Sequence, residues 1–341
     1  MNTDIVVFGG GIAGIEAATS LHRLGYNVII IEKETFLGGH VTLWNKLFPN
    51  NKDANEIVQQ VISSLNNNIT IFLATESTKI INNHNNTYTI HLNNNKIIHT
   101  KAILIATGYD VFNAKLKEEY GYGIYDNVIT SDELEHILKQ NKRILTKQGK
   151  EPTRIGFVHC VGSRDRKVNN IYCSKVCCVT AVKQAIEIRQ KLPFSEAYCF
   201  YMDLRMYGLN FEELYNDSQE KYGVTFIRGR LSEASENIEG KIIVKVEDTL
   251  LGRPLKMTMD LLVLMVGMVP SKGTSWLIKE LELNFNSGNF VSSLDEHTKS
   301  NLTNKKGVFV AGTASSPKTI DDTLADSRSA VLFIHEYLKS F

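Results

Sequence analysis

A glycine-rich turn near the amino terminus most strongly constrains the fold of this chain. Gly9, Gly11 and Gly14 stand between a short apolar run typical of a β-strand and a stretch with α-helical periodicity. A second, fully apolar run follows and ends at Glu32. In a dinucleotide-binding βαβ unit such glycines permit a tight turn, close approach of a diphosphate and close helix–strand packing, and an acid ~20 positions later accepts the ribose hydroxyls. The sequence therefore predicts an α/β fold that opens with a dinucleotide-binding unit.

Three further segments favour FAD over NAD in this unit. Gly39 and His40 follow the acid, where flavoproteins commonly wrap the chain around the cofactor. The segment 106–108 closes an antiparallel meander predicted over 69–99, and the segment 307–312 precedes a helix predicted over 323–339. In flavoproteins with two dinucleotide folds, the positive end of that helix stabilises negative charge on a reduced flavin. We therefore expect FAD as the cofactor.

The composition excludes several classes of protein. The 341 residues include 38 Lys and Arg and 37 Asp and Glu, so a net charge of +1 provides neither a basic face for nucleic acid nor a polybasic membrane anchor. The longest apolar run, 261–270, is half of the ~20 residues that a membrane-spanning helix needs and is typical of a buried strand. The first strand is expected directly after residues 1–3, which leaves no room for a signal peptide. We therefore expect a cytoplasmic protein.

A second α/β pattern begins at Arg154 and indicates a second domain inserted into the first. Both domains are expected to be Rossmann-like, with helices on both faces of a sheet. The expected division is 1–112 with 285–341 for the FAD-binding domain, 113–150 for a connector, and 151–284 for an NAD(P)-like domain.

A cysteine array replaces the glycine-rich loop that an NAD(P)-binding second domain would need. Its members are Cys160, Cys173, Cys177 and Cys178. On a helix, Cys173 and Cys177, four positions apart, would share one face, and a helix is predicted over 174–190. Four thiolates from one loop and one helix start suit an iron–sulfur cluster. Structural zinc more often uses paired C-x2–4-C knuckles and a redox disulfide C-x-x-C, but the spacing alone leaves zinc, thiol chemistry and plain packing open.

At these residues the chain resembles the A subunit of heterodisulfide reductase, which has a thioredoxin-reductase-like FAD core. The resemblance covers nearly the whole chain. The segments that carry it are 9–14, 32–34, 38–40, 106–110, 128–131, Cys-Val-Gly-Ser-Arg-Asp at 160–165, Tyr-Cys-Ser-Lys-Val-Cys-Cys at 172–178, 201–205, 247–250 and 266–270.

The resemblance implies a site for each of two cofactors. The four cysteines of the array would hold a [4Fe–4S] cluster close to the flavin. Lys183, on the same predicted helix, would hydrogen-bond near the flavin N5 and act as a catalytic residue, against the alternative of a solvated helix lysine. The residues expected to bind FAD are Gly9, Gly11, Gly14, Glu32, Lys33, Gly39, His40, Ala106, Thr107, Gly108, Gly312 and Thr313. Thr313 stands where flavoproteins of this kind usually carry aspartate.

The resemblance also implies a role in an assembly. Methanogen A subunits carry ferredoxin-like inserts with further cysteine clusters, for which this chain has no cysteines. It is similar to the short A subunit of the heterodisulfide-reductase-like complexes of sulfur-oxidising bacteria and archaea. We expect an electron-transfer subunit that forms a homodimer within a larger complex and works with B- and C-type iron–sulfur subunits in thiol and disulfide metabolism. The alternatives are an NAD(P)H-dependent flavoprotein disulfide reductase and an assembly subunit with purely structural cofactors.

Overall fold

A computed structural model describes residues 1–83 and 85–341, which form two compact units. The first unit comprises 1–42, 54–110 and 269–341, and the second comprises 43–53 and 111–268. The residues of the expected connector, 113–150, belong to the second unit, because the apolar face of a helix within them packs into that unit's core. Residues 269–284 belong to the first unit, because another helix packs there.

The elements are numbered along the chain. The strands are β1 (Asn2–Phe8), β2 (Val28–Ile31), β3 (Lys46–Leu47), β4 (Lys52–Asp53), β5 (Thr70–Phe72), β6 (Ser77–Asn82), β7 (Tyr88–Leu92), β8 (Ile97–Ile105), β9 (Tyr109–Val111), β10 (Val128–Thr130), β11 (Arg154–Val161), β12 (Glu196–Tyr201), β13 (Thr225–Arg228), β14 (Leu231–Glu236), β15 (Ile242–Asp248), β16 (Arg253–Met259), β17 (Leu261–Val266), β18 (Met268–Pro270) and β19 (Val308–Val310). The helices are α1 (Ile12–Arg23), α2 (Ala54–Ser63), α3 (Ser131–Lys139), α4 (Cys177–Lys191), α5 (Phe211–Glu220), α6 (Lys272–Glu280) and α7 (Ile320–Lys339).

The first unit is built on a seven-stranded sheet. Its strands run in the order β5–β2–β1–β8–β7–β6, with β19 beside β8. The pairs on the β1 side are parallel, because β1 and β2 are apolar on both faces and need cover from both sides. Helices α1 and α7 cover one face, and α6 packs into the core on the other. The predicted meander is confirmed for β6, β7 and β8, whereas β5 instead pairs with β2 in parallel.

The second unit contains a five-stranded parallel sheet in the order β10–β17–β11–β12–β13. Helices α3 and α4 bury their apolar faces against this sheet. Strands β14, β15 and β16 form a separate antiparallel sheet. The α/β class with two Rossmann-like domains is therefore confirmed.

Two helices begin at residues other than those predicted. Helix α7 starts at Ile320 because Thr319 and Asp322 form a capping box, in which the Thr319 hydroxyl accepts from the Asp322 N–H. Helix α4 starts at Cys177, after Lys175 has taken a left-handed φ of 63° that no helix interior tolerates. No helix in the described part of the chain is long and apolar enough to cross a membrane.

Candidate cofactor sites

The turn between β1 and α1 has the backbone that its glycines predict. Gly9 has a φ of 108°, and a Cβ there would collide with the Ala106 carbonyl. A Cβ on Gly14 would collide with the Gly9 carbonyl, so α1 can lie this close to the turn only with glycine at that position. Gly11 is the N-cap of α1 and has no side chain to cap it, and a Cβ there would meet only Gly39 Cα, at 3.9 Å. The first N–H groups of α1 therefore suit a diphosphate.

The carboxylate of Glu32 is fixed by two backbone groups. Gly10 N–H donates to Oε2 at 2.5 Å and Glu34 N–H donates to Oε1 at 2.8 Å, with the residue only 7% exposed. Each oxygen keeps a lone pair for a ribose hydroxyl. Lys33 instead lies at the surface, with its ammonium 3.8 Å from Glu34. Glu32 therefore fits its predicted role, and the role of Lys33 stays a prediction.

Glu32→Gln is expected to weaken FAD binding roughly tenfold to a hundredfold. The amide of glutamine replaces one of the two charged acceptors for the ribose hydroxyls by an NH2 group, and a hydrogen bond to a charged acceptor is worth about 1.5–3 kcal/mol. Flavin fluorescence during titration of apoprotein with FAD measures the change. Glu34→Gln, at the exposed neighbouring carboxylate, is the matched control, and equal effects of the two variants would contradict the assignment.

The predicted segment at 38–40 lies against the glycine turn. Gly38 N–H donates to the Gly10 carbonyl at 2.8 Å. The His40 ring stacks on Tyr109 with centroids 4.3 Å apart, and its Nε2 donates to the Tyr109 carbonyl at 2.7 Å. The structure therefore brings the glycine turn, this segment and the first residue of β9 together in the first unit.

The segments 106–108 and 312–313 also come together. Ala106 N–H donates to the Phe8 carbonyl at 2.8 Å, and a Cβ on Gly108 would lie 3.8 Å from the Thr313 hydroxyl. Two partners were missing from the sequence prediction. The Thr107 hydroxyl bonds that of Thr274 at 2.7 Å, and Gly312 N–H donates to Asp326 at 2.7 Å.

The first turn of α7 contains two carboxylates, although its predicted role is to stabilise negative charge on a reduced flavin. Asp321 and Asp322 lie in its first turn, where carboxylates offset the positive end of the helix dipole. The Lys318 ammonium lies before the helix, 3.1 Å from the Gly312 carbonyl and 3.5 Å from Asp326. Stabilisation of a reduced flavin by this helix end stays a prediction.

The cysteine array is gathered at the end of β11 and the start of α4. Cys160 lies in β11 with a left-handed φ of 61°, Cys173 lies in the loop that follows, and Cys177 and Cys178 open α4. The predicted shared helical face of Cys173 and Cys177 is therefore wrong.

The four thiols lie within electrostatic range of one another. Burial raises the pKa of Cys160 to about 11, with smaller contributions from Cys178 and Cys173. Burial also raises the pKa of Cys177, to which all three other thiols of the array contribute. The described residues nevertheless contain no set of three or more His, Cys, Asp or Glu side chains already arranged around a metal position. Buried thiols of this kind ionise only when a cation offsets their charge.

Polar groups around the array fit an anionic, sulfur-rich ligand. The Ser163 hydroxyl and Arg164 Nη1 are buried, and each lies beside a thiol of the array, Ser163 beside Cys177 and Arg164 beside Cys160. Lys175 N–H points to the Cys173 sulfur at 3.4 Å. Donors to sulfur are what tune iron–sulfur clusters. The donor set therefore fits the [4Fe–4S] prediction, and Ser163 and Arg164 are candidate site residues that the cysteine spacing alone did not reveal.

Lys183 is a buried cation held by two carboxylates. It is 3% exposed, its ammonium donates to both oxygens of Glu135 at 2.6 and 2.7 Å, and it lies 3.4 Å from Glu187. Burial raises the pKa of Glu187, an effect that the charge of Lys183 opposes. The solvated-lysine alternative is therefore wrong. Sequence reasoning missed both carboxylates, although Glu187 stands at the i+4 position that pairs on a helix.

Comparisons with known proteins identify relatives of this chain. Residues 3–156 match the family model described as pyridine nucleotide-disulphide oxidoreductase. The iron–sulfur A subunit of CoB–CoM heterodisulfide reductase from Methanocaldococcus jannaschii is 33% identical over 95% of this chain and 63% of its own length. This chain is a homologue of the heterodisulfide reductase A subunits. The predicted resemblance to these A subunits is confirmed.

Other matches show how much of each relative this A-subunit homologue covers. The A subunit of the H2:CoB–CoM heterodisulfide,ferredoxin reductase from Methanothermobacter thermautotrophicus is 41% identical over 68% of the chain and 36% of its own length. The chain thus spans less than two thirds of these curated relatives. The thioredoxin reductases of Lactococcus lactis and T. acidophilum share its fold, with TM-scores of 0.70 and 0.67 at 17% identity, and each is matched over 99% of this chain.

Proposed function

We propose that this A-subunit homologue binds FAD in its first unit and a [4Fe–4S] cluster at the array of Cys160, Cys173, Cys177 and Cys178. The observation that carries the proposal is the gathering of four thiols, with the donors Ser163 and Arg164 beside two of them, at the end of β11 and the start of α4. The glycine-rich loop of a nucleotide site would otherwise stand there. A bound flavin exchanges electrons singly or in pairs, and a cluster exchanges them singly. The chain thereby serves in electron transfer between the two.

The residues of the first unit have defined tasks in this proposal. The open first turn of α1 binds the diphosphate, and Glu32 orients the ribose. His40, fixed by Tyr109, closes the loop over the dinucleotide. In the second unit, Lys183 is the proposed catalytic residue. Its carboxylate partners and the Lys46 carbonyl take all three N–H groups of the buried ammonium, so that its role toward a reduced flavin would be that of a positive charge.

The partners follow from the relatives. The matched proteins are named as subunits of CoB–CoM heterodisulfide reductases. We propose that this chain works in the cytoplasm as a homodimer within a larger complex of that type, together with B- and C-type iron–sulfur subunits. Its electrons would serve thiol and disulfide sulfur metabolism, as in the complexes of sulfur-oxidising organisms.

Anaerobic purification followed by cofactor analysis tests the proposal. Iron, sulfide and flavin are quantified per chain, and spectra are recorded during stepwise reduction. The expected result is one FAD with about four irons and four sulfides. FAD with zinc, or with no iron after anaerobic reconstitution, would overturn the electron-transfer proposal.

A second candidate is an NAD(P)H-dependent disulfide reductase, favoured by the match of residues 3–156 to pyridine nucleotide-disulphide oxidoreductases. The sequence lacks C-x-x-C, and His159 and Cys160 occupy the place of the glycine loop. Bleaching of the flavin by NADH or NADPH in the isolated protein would support this candidate, and an unchanged spectrum would exclude it.

A further inference from the structure

The segment between Cys160 and Cys173 forms a folded tongue, here residues 161–172. Arg164 N–H donates to the Tyr172 carbonyl at 2.8 Å, and Asp165 and Asn170 exchange two backbone hydrogen bonds of 2.8 and 3.1 Å. The side-chain amide of Asn170 donates from Nδ2 to the Gly162 carbonyl at 2.9 Å. The tongue thus sets the separation of the two cysteines that flank it, and it also carries the donors Ser163 and Arg164, which lie beside Cys177 and Cys160.

A buried group of charges fixes the tongue to the rest of the second unit. Asp165 is 1% exposed, and its Oδ2 accepts from Lys117 and from Arg230, each at 2.6 Å. Its Oδ1 accepts from Lys167 N–H at 3.0 Å. Lys117 is equally buried and also pairs with Glu119 at 2.7 Å. Two cations from outside the tongue therefore meet on one carboxylate within it.

The charge state of this group is settled by its contacts. Burial alone would raise the pKa of the Asp165 carboxyl, but the hydrogen bonds from Lys117 and Lys167 N–H and the charge of Arg230 hold it below its ordinary value. Buried ion pairs contribute little net stability compared with apolar packing, but they demand one geometry. Buried ion pairs are therefore suited to fixing the position of a loop rather than to raising its stability.

We propose that Asp165 is a positioning residue for the cysteine array. By pairing with Lys117 and Arg230 it holds the tongue so that Cys160 and Cys173 present their sulfurs, and Ser163 and Arg164 their donors, to one ligand. The inference rests on the proposed function, because the ligand is the proposed cluster.

The test compares Asp165→Asn with a matched core variant in the full-length protein. Ile242→Ala removes apolar volume from β15, a buried position in the separate antiparallel sheet, and lowers the melting temperature without touching the tongue. Each anaerobically reconstituted protein is assayed for iron release to a chelator and for the electron paramagnetic resonance spectrum of the reduced cluster. Asp165→Asn is expected to release iron at least tenfold faster and to change the spectrum, while FAD content stays at the wild-type level. Ile242→Ala is expected to change neither the release rate nor the spectrum.

Alkylation of the metal-free protein separates this inference from the proposed function. Cys160 and Cys173 are expected to react faster with iodoacetamide in Asp165→Asn than in the wild type, by mass spectrometry, whether or not the wild type binds iron. A wild type without iron would overturn the proposed function alone. The positioning role would be overturned if Asp165→Asn were alkylated and released iron at the wild-type rates. It would also be overturned if Ile242→Ala released iron as fast as Asp165→Asn. Should Asp165→Asn fail to fold, Arg230→Met, at a side chain that is 43% exposed, gives the same comparison.

Discussion

Replacing Cys177 by serine is expected to abolish cluster binding while one FAD per chain remains. Cys177 is buried at the first position of α4, within electrostatic range of the other three thiols of the array, so its loss removes one of the four proposed ligands. A serine hydroxyl ionises far less readily than a thiol and is a poor ligand for iron. Iron should fall from about four per chain to near zero, together with the visible absorbance of the cluster. Metal analysis and spectra of the anaerobically reconstituted protein measure both.

Cys199→Ser is the matched control for this experiment. Cys199 is fully buried in β12 and lies within electrostatic range of Cys178, yet it is not a member of the proposed ligand set. It should therefore keep both iron and flavin. If both variants lost iron equally, the loss would reflect general destabilisation of the second unit. If neither lost iron, Cys177 would not be a ligand.

The sequence was sufficient where the physical constraint is local. Gly14 is required by close contact with the Gly9 carbonyl five positions earlier, and the apolar runs of β1 and β2 specify a parallel sheet without reference to distant residues. The ribose acid follows from the same logic, because Glu32 ends the second of these strands. The α/β class and the dinucleotide turn could therefore be predicted before any tertiary contact was known.

Contacts between distant segments could not be predicted in this way. Asp326 accepts a hydrogen bond from the Gly312 N–H, and the Thr274 hydroxyl bonds that of Thr107. Both contacts form only because the fold brings distant segments of the chain together. The start of α4 was also missed, since a left-handed residue before the cysteines leaves no periodic signal. The cysteine spacing indicated the ligands, but the buried charges behind them are visible only in three dimensions.

Lys183 combines a local signal with a distant one. Its helical neighbour Glu187 is visible in the sequence, whereas its nearest partner, Glu135, lies on α3. The second carboxylate changes the interpretation of Lys183. A single carboxylate at i+4 is typical of an ion pair on a helix surface, whereas two buried carboxylates indicate an internal charged site. A buried ammonium of this kind can serve the fold, a flavin, or both.

Lys183→Met is expected to lower the free energy of unfolding by about 3–5 kcal/mol at neutral pH, because breaking a buried ion pair leaves uncompensated charge. Burial already raises the pKa of Glu187 above its ordinary 4.5, and without the ammonium it rises further. A carboxyl whose folded pKa exceeds its unfolded value binds more protons in the folded state. The loss of stability that it causes therefore grows as the pH rises from the unfolded pKa through the folded pKa, and it fades as the pH falls back toward the unfolded pKa. Denaturant unfolding between pH 5 and pH 8 should show the largest loss at pH 8. Equal losses at both ends would contradict the assignment of the stability effect to the carboxylates.

The double variant Lys183→Met with Glu135→Gln separates the structural role of the lysine from its proposed catalytic role. Replacing Glu135 by the neutral amide removes one of the two stranded charges, so much of the lost stability should return. The flavin midpoint potential should stay below the wild-type value in both variants, because neither has an ammonium to favour the reduced form. A spectroscopic redox titration of each protein measures the potential. A wild-type potential in Lys183→Met would leave Lys183 with a structural role alone, since its charge would then have no influence on the flavin.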